Sequence, residues 1–335
     1  MGRYGRGGTT EMATGRHVGS VALIIGVLVL VVGCTPESPP PLLRVGTSVW
    51  PGYEPLYLAR ELGYLEGSSI RLVEHDSATD VIRAFRNHAI EAAALTLDEV
   101  LLLTDSGQHP RVVLVMDISH GADVILGHAG IRRITDLKGR RVGVENTATG
   151  AYMLTRALQR NGMELDQITL VPMPSYEHER AFLNNTVDAV VTFEPTRTRL
   201  LKQGAVRLFD SSEIAGEIVD VLVVRHDILQ RQPEAVERLL RDWFRALAYL
   251  AAEPQDAAAR MAAREGLTPH EFLAALQLLR IPTLSENRGL LAGPQAGLRA
   301  PLRRLESVMQ AKKLLVGNAD HGSLLEGGLL EGGAR

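Results

Sequence analysis

From Leu42 onward the chain alternates short apolar, β-like runs with segments of helical spacing, and no other feature constrains its fold as much. A helix between two strands returns the second strand parallel to the first, so the pattern predicts parallel βαβ construction. Leu43 to Ser48 reads as a first strand, and Glu54 to Leu62 as a helix through Leu56, Leu58, Ala59 and Leu62 with Gly63 as C-cap. Ile70 to Glu74 is a second strand, and Ser77 is an N-cap candidate for a helix over Thr79 to Asn87. Glu91 to Leu95 and Arg111 to Met116 are strands on either side of a Leu97 to Asp105 helix. A second set follows Asp117, with strands at Asp123 to Gly127, Arg141 to Val144, Thr169 to Pro172 and Val187 to Thr192, and helices near Gly150 to Arg160 and Glu177 to Leu183. Glu217 to Val224 is a strand-like run placed to carry the chain back to the first set. Beyond it only helices are evident, at Pro233 to Ala252, Gln255 to Glu265, Pro269 to Leu279 and Pro301 to Lys313.

This order predicts an α/β fold of two lobes, each a mostly parallel sheet flanked by helices, with a helical C-terminus. Lobe 1 is expected over 42–118 plus 221–316, lobe 2 over 119–220, and a flexible tail over 317–335, where Leu-Leu-Glu-Gly-Gly repeats show no packing pattern. A length of 335 residues fits two domains. The net charge of -3 without a long single-sign run argues against a nucleic-acid partner, and the 4% aromatic share argues against stacking platforms. A single cysteine, Cys34, excludes an intramolecular disulfide and any cysteine-cluster metal site, and no metal or cofactor is expected.

Arg3, Arg6 and Arg16 precede an apolar run from Val18 to Gly33 broken by Ser20, and a Pro-rich stretch follows without a basic flank. That is the layout of a signal peptide, and the run is short for a spanning helix, which needs about 20 apolar residues. It ends in Val31-Val32-Gly33-Cys34, which resembles the bacterial lipobox, where the cysteine is lipidated and cleavage falls just before it. The resemblance implies a signal peptide over 1–33, a tether over 34–41, and a chain lipid-anchored to a bacterial membrane, in the periplasm or at the cell surface. An ordinary signal anchor with a buried cysteine is the alternative.

One lobe interrupted by another, with two crossings, looks like the two-lobed periplasmic binding protein architecture, type II-like. Val45-Gly46-Thr47-Ser48-Val49-Trp50-Pro51-Gly52-Tyr53, Leu58-Ala59, Glu61-Leu62-Gly63-Tyr64, Asp136-Leu137-Lys138-Gly139-Arg140-Arg141-Val142-Gly143-Val144 and Thr192-Phe193-Glu194-Pro195 narrow this. They resemble the nitrate/sulfonate/taurine-type substrate-binding proteins of ABC importers, a superfamily that includes binders and synthases of the thiamine pyrimidine precursor. The resemblance spans roughly Leu42 to Arg245 and implies an extracytoplasmic solute-binding protein, a monomer, whose partners are a small-molecule ligand and an ABC permease with its ATPase. It also implies hinge closure about crossings near Asp117 to Asp123 and Ile214 to Asp220, where Gly121 and Gly216 are low-strain positions.

In open α/β sheets ligands sit outside the carboxyl ends of the strands. Lobe 1 then offers Ser48, Trp50, Tyr53, Ser77, Thr96 and Asp98. Lobe 2 offers Thr147, Thr149, Gly150, Tyr152 and Glu194, with Asp220 at the return crossing. Each has a duller role too. Trp50 either lies flat against a ligand or wedges strand from helix. Asn146 to Ala151 either presents free N–H groups to a polar ligand or only caps a helix. Asp98 caps the Leu97 helix, or Asp220 forms a salt bridge, if neither meets a ligand. Asp98, Asp117, Asp123, Glu194, Glu217 and Asp220 lie near strand ends or crossings, with no lysine or arginine among the site candidates. Uncompensated carboxylates favour an amine, amidine or aminopyrimidine over nitrate or a sulfonate.

An enzyme needs a catalytic set, and none is legible. The histidines are dispersed, and His-Glu-x-x-His, Gly-x-Ser-x-Gly and a Gly-x-Gly-x-x-Gly after the first strand are all missing. Tyr176-Glu177-His178-Glu179 reads as a solvated helix start rather than a metal cluster. Without the cysteine-rich motif of the pyrimidine synthase branch, that activity does not carry over. The remaining rival is a ligand-binding sensor or accessory lipoprotein that signals to a membrane partner.

Overall fold

Two separate sheets form among the residues described by the computed structural model, which are Met1, Gly8, 41–145, 148–317 and 321–331. The strands are β1 (Leu43–Thr47), β2 (Ile70–Glu74), β3 (Ala92–Thr96), β4 (Pro110–Ser119), β5 (Asp123–Gly127) and β6 (Arg141–Val144). They continue with β7 (Thr169–Pro172), β8 (Ala189–Phe193), β9 (Val206–Asp210), β10 (Val219–Arg225) and β11 (Leu279–Arg280). The first sheet runs β11-β4-β10-β3-β1-β2 and the second β7-β6-β8-β5-β9. In the first, β1 pairs in parallel with β2 and β3, while β10 lies antiparallel between β3 and β4. In the second, β6 is parallel to β7 and β8, and β5 is antiparallel to β8 and β9, so both sheets are mixed rather than mostly parallel as expected, because the strands that follow each passage between the sheets run back against their neighbours. The expected signal peptide over 1–33, apart from Met1 and Gly8, and Cys34 lie outside the described residues.

Burial explains which runs became central. Every residue of β3 is buried, as is every residue of β10 except its last, so both read as continuous apolar segments covered on two faces. The edge strands β2 and β7 carry exposed polar positions instead. The long helix Pro233–Ala252 buries Val236, Leu239, Leu240, Trp243 and Ala246 on one face, the spacing of a helix laid on a core. Proline at its first turn costs nothing, since that N–H has no intrahelical partner. The two passages between the sheets contain Gly121 at φ 116° and Gly216 at φ 76°, backbone that a side chain at Cβ would strain.

Some elements departed from expectation. β9 was not anticipated, because its exposed Arg207 and acid-flanked end obscure a short strand that pairs with β5 at the edge of the sheet. The tail was expected to lack packing, and between 321 and 331 it does pack. Leu324, Leu325 and Leu330 are buried, Leu325 bridges to Val112, and Glu326 N–H donates to Val112 O at 2.9 Å. The Arg288 guanidinium donates to Leu330 O at 2.8 Å and 3.0 Å. Paired leucines gave the tail more apolar surface than its glycines cost in chain entropy.

Beyond the two-residue β11, the outer edge of β4 is covered by a side chain. Asn287, fully buried, accepts from Val115 N–H at 2.7 Å and donates to Val115 O at 3.1 Å, imitating a strand neighbour. Asn287→Ala is expected to strand both backbone groups, costing about 2–3 kcal/mol. A thermal melt should then fall by roughly 5–10 °C, and an unchanged melting temperature would show that water replaces the amide.

Candidate functional site

The cleft is built by strand direction. The parallel strands β1, β3, β6 and β8 deliver residues at and after their carboxyl ends to it, and the antiparallel strands β5 and β10 deliver residues at their starts, Asp123, the first of β5, and Asp220, the second of β10, to the same edge. Asp220 is the register partner of Thr96 on one side and Asp117 on the other, and Asp123 that of Phe193. The walls are Ser48, Val49, Trp50, Tyr53, Ala78, Thr96, Glu99 and Asp220 from the first sheet's side. From the second they are Asp123, Glu145, Thr149, Gly150, Met153, His178, Val191, Thr192 and Phe193. An interior cavity of about 50 Å³ opens into free space of about 600 Å³, mouth included.

Both sheets meet across it. Thr96 and Thr149 hydroxyls are 2.7 Å apart, and Thr79 Oγ1 donates to Glu145 Oε1 at 2.7 Å. Trp50 stands edge-on to Phe193, centroids 5.9 Å apart at 79°. Its Nε1–H donates to Asp117 Oδ2 at 3.0 Å, and Tyr53 OH donates to Asp220 Oδ1 at 2.5 Å. Trp50 thus lines the cleft while packing against Phe193.

The electrostatics are one-sided. Burial lifts the Asp117 and Asp123 carboxyls to about 7, with Asp123 adding repulsion at Asp117. Burial and then Asp98 raise Glu99 to about 8, and burial raises Asp98 itself to about 6. Asp220 is pushed well above the carboxylate range by burial and by Asp117. Among the described residues no wall position is lysine or arginine. One oxygen each of Asp98, Asp117, Asp123 and Asp220 has no hydrogen-bond partner. His178, buried, is held neutral because burial lowers it to about 4; Nδ1 lies 3.2 Å from Thr192 Oγ1 and Nε2 has no partner. Chemically, such a cleft accepts hydrogen bonds and positive charge.

Of the residues singled out in the sequence, Ser48, Trp50, Tyr53, Thr96, Thr149, Gly150 and Asp220 share this cleft. Thr147 lies outside the described residues. Ser77 instead caps the helix Ala78–Arg86, accepting from Asp80 N–H at 3.3 Å. Asp98 sits behind the wall, accepting from Thr149 Oγ1 at 3.4 Å, and Thr96 rather than Asp98 caps the helix Leu97–Asp105. Tyr152 faces away, donating to Glu217 at 2.6 Å beside Arg156. Glu194, fully buried, is consumed by Arg197 at 2.9 Å and Thr198 Oγ1 at 2.9 Å. Among the described residues Asp220 is in no salt bridge and accepts from Tyr53 OH instead. His178 corrects the reading of a solvated helix start: it is buried with Ala181 and Phe182, while Tyr176 is exposed. Glu99, Glu145, Met153 and Phe193 were missed. Glu99 carried a signal, since it completes a Thr-x-x-Glu capping pattern, with Thr96 N–H donating to its carboxylate at 3.0 Å.

Residues 36–265 match the profile of the NMT1-like family. Over 171 residues the chain is 27% identical to a provisionally named binding protein of Brucella abortus, covering 47% of this chain and 53% of that one. The chain thus spans about half the length of the curated relatives it matches. The periplasmic aliphatic sulphonate binding protein SsuA from Escherichia coli superposes with a TM-score of 0.71 at 19% identity, over 88% of this chain and 100% of that one. The desulfurization enzyme DSZB superposes with a TM-score of 0.64 at 16% identity, over 87% and 98%. At these identities the likeness is one of fold, and that fold serves binding proteins and an enzyme alike.

Proposed function

The chain belongs to the NMT1-like family, and on that premise we propose that it is the solute-binding component of an ABC importer, capturing a small molecule with a cationic or amino-bearing group. The observation that carries the ligand class is a cleft walled by Glu99, Asp123, Glu145 and Asp220 with no lysine or arginine among its described walls. A nitrate or sulfonate placed there would meet uncompensated carboxylates, whereas an amine or amidine would supply the donors they lack. The protein is not an enzyme, and its ligand should be recovered unchanged by mass spectrometry. Capture proceeds by closure of lobe 2, 119–220, on lobe 1, and the Thr96–Thr149 and Thr79–Glu145 bonds mark the closed form.

A thermal-shift and calorimetric panel of agmatine, polyamines, hydroxymethylpyrimidine, betaines, taurine and alkanesulfonates tests the ligand class. A cation at a hundred times its Kd adds about 2.7 kcal/mol of stability. Asp220→Asn should weaken the hit by roughly 10- to 100-fold, the usual worth of a charge-assisted hydrogen bond. Stabilisation by sulfonates alone would remove the cationic reading. A second reading has a specific support: the helix Ala148–Arg160 brings Thr149 and Gly150 of its first turn to the cleft, where N–H groups that lack an intrahelical acceptor favour an anionic end such as that of taurine. Stronger stabilisation by taurine than by any amine would select it.

The exported chain is anchored through lipid on Cys34, in the periplasm or at the cell surface, beside a permease and its ATPase; signalling to another membrane partner is the alternative use of the same capture. Cys34→Ser should move the chain into the aqueous phase of a detergent partition and leave its melting temperature unchanged. A variant that stays in the detergent phase would point to a signal anchor.

A further inference from the structure

Asp117 of β4 and Asp220 of β10 are register partners, placing two carboxyls directly opposite across an antiparallel pair. They are 0% and 2% exposed. Each has one oxygen held by an aromatic donor, Trp50 at 3.0 Å for Asp117 and Tyr53 at 2.5 Å for Asp220. The other two oxygens, Asp117 Oδ1 and Asp220 Oδ2, have no partner. Two facing carboxylates in a dry site repel, and an orphan pair of acceptors is satisfied most simply by one proton between them.

Among the described residues nothing around the pair supplies a counter-charge. The helix Leu97–Asp105 adds Asp98 and Glu99, β5 adds Asp123, and Glu145 and neutral His178 line the cleft from the second sheet's side. Tyr53 and Trp50 are neutral donors already used. The arginines of neighbouring elements are engaged elsewhere, Arg156 by Glu217 at 2.7 Å, Arg197 by Glu194 at 2.9 Å and Arg264 by Glu54 at 3.1 Å.

We propose that ligand capture is a proton exchange: the Asp117–Asp220 pair of the ligand-free cleft holds a proton between its two orphan oxygens, and a cation docking on Asp220 expels it. This rests on the cationic reading of the cleft and adds how the site is regulated. The step balances. A carboxyl O–H bond breaks heterolytically, its electron pair stays on the carboxylate, the proton leaves through the cleft mouth to buffer, and the ligand's charge takes its place. By linkage, a site that releases one proton on binding gains about tenfold in affinity per pH unit for as long as the free pair is protonated. Burial raises Asp117 to about 7 and Asp220 well above the carboxylate range, so affinity climbs as pH rises toward neutrality. Acidification ejects the ligand.

The test uses the full chain in detergent micelles. First, the carboxyl carbons of Asp117 and Asp220, assigned with Asp117→Asn and Asp220→Asn, are titrated by carbon NMR in the ligand-free protein. The pair should still hold at least one proton at about pH 6, against an ordinary aspartate pKa of about 3.9. Second, benzamidinium, whose charge is fixed over this range, is titrated calorimetrically in phosphate and in Tris, buffers that differ in ionisation enthalpy. About one proton should be released at pH 6, falling to none in Asp117→Asn, which keeps an acceptor for Trp50. A pair fully ionised at pH 6 overturns the exchange and leaves the cationic reading standing. So does benzamidinium binding without proton release. If neither benzamidinium nor any other cation binds, both fall, and a proton still present on the ligand-free pair identifies the ligand reading as the part that failed.

Discussion

Gly52→Ala is expected to abolish ligand capture and to cost about 2–3 kcal/mol of stability, the range of an overpacked core. A Cβ at Gly52 would lie 1.8 Å from Asp117 Oδ2 and 2.6 Å from Trp50 Nε1. It would intrude on the bond that these two atoms make at 3.0 Å. Neither partner can retreat cheaply, because Asp117 is fully buried and Trp50 packs edge-on against Phe193. Separating them leaves a buried indole N–H and a buried carboxyl unpaired, which adds to the steric cost. Thermal melts and calorimetry with the best panel ligand read both effects together. An alanine variant that melts within about 2 °C of the parent and still binds would show slack in the Trp50 loop that the packing does not display.

The ligand-free protein is expected to lose stability as pH rises from about 5 to 8. The sign follows from linkage: a buried acid raised to about 7 binds more protons folded than unfolded above about 4, so unfolding is favoured progressively as pH climbs to the folded value. Asp117 and Asp123 at about 7 and Glu99 at about 8 act in this window, and Asp220, raised well above its ordinary range, acts with them. A second buried pair adds to the effect: burial lifts Glu54 to about 7 against the pull of Arg264, and burial with Glu54 raises Glu265. His178 opposes them, since a histidine lowered to about 4 is stabilising as pH rises toward its unfolded value near 6.5, but it is one group against several. Paired acids with lowered values, such as Glu271 at about 2 beside Lys202, are ionised in both states above pH 5 and do not contribute to the slope there. Melting temperatures should drop by the order of 5 °C or more across the window, and a doubly substituted Asp117→Asn, Asp220→Asn chain should flatten the profile. A melting temperature that stays level or climbs between pH 5 and 8 would sink this account of the cleft.

Much of the architecture was legible because periodicity reports burial directly. Ile70 to Glu74, Leu97 to Asp105, Asp123 to Gly127, Arg141 to Val144, Thr169 to Pro172 and Pro233 to Ala252 form over the residues read from their spacing alone. Signals failed where an element owes its form to a distant partner. β9 exists because β5 offers it an edge, and the Leu324 to Leu330 tail is ordered by β4 and Arg288. The site was half visible for a similar reason. The rule of looking after each strand finds Ser48, Trp50 and Thr96 but passes over Asp123, which stands at the start of an antiparallel strand, and His178, which reaches the cleft from a helix.

The amino-acid order by itself determined the alternation of strands and helices, the interruption of one sheet by another, and the family, since these depend on local spacing and on motifs such as Trp50-Pro51-Gly52-Tyr53. Only the tertiary structure decided which carboxyls share a cleft and which are spent elsewhere. Glu194 and Glu217 sit at equally promising positions in the sequence, yet each has an arginine, while Asp220 faces Asp117 and accepts from a tyrosine. The reason is that a charge takes its meaning from what lies within a few ångströms of it in a medium without water, and that neighbourhood is assembled from segments far apart along the chain.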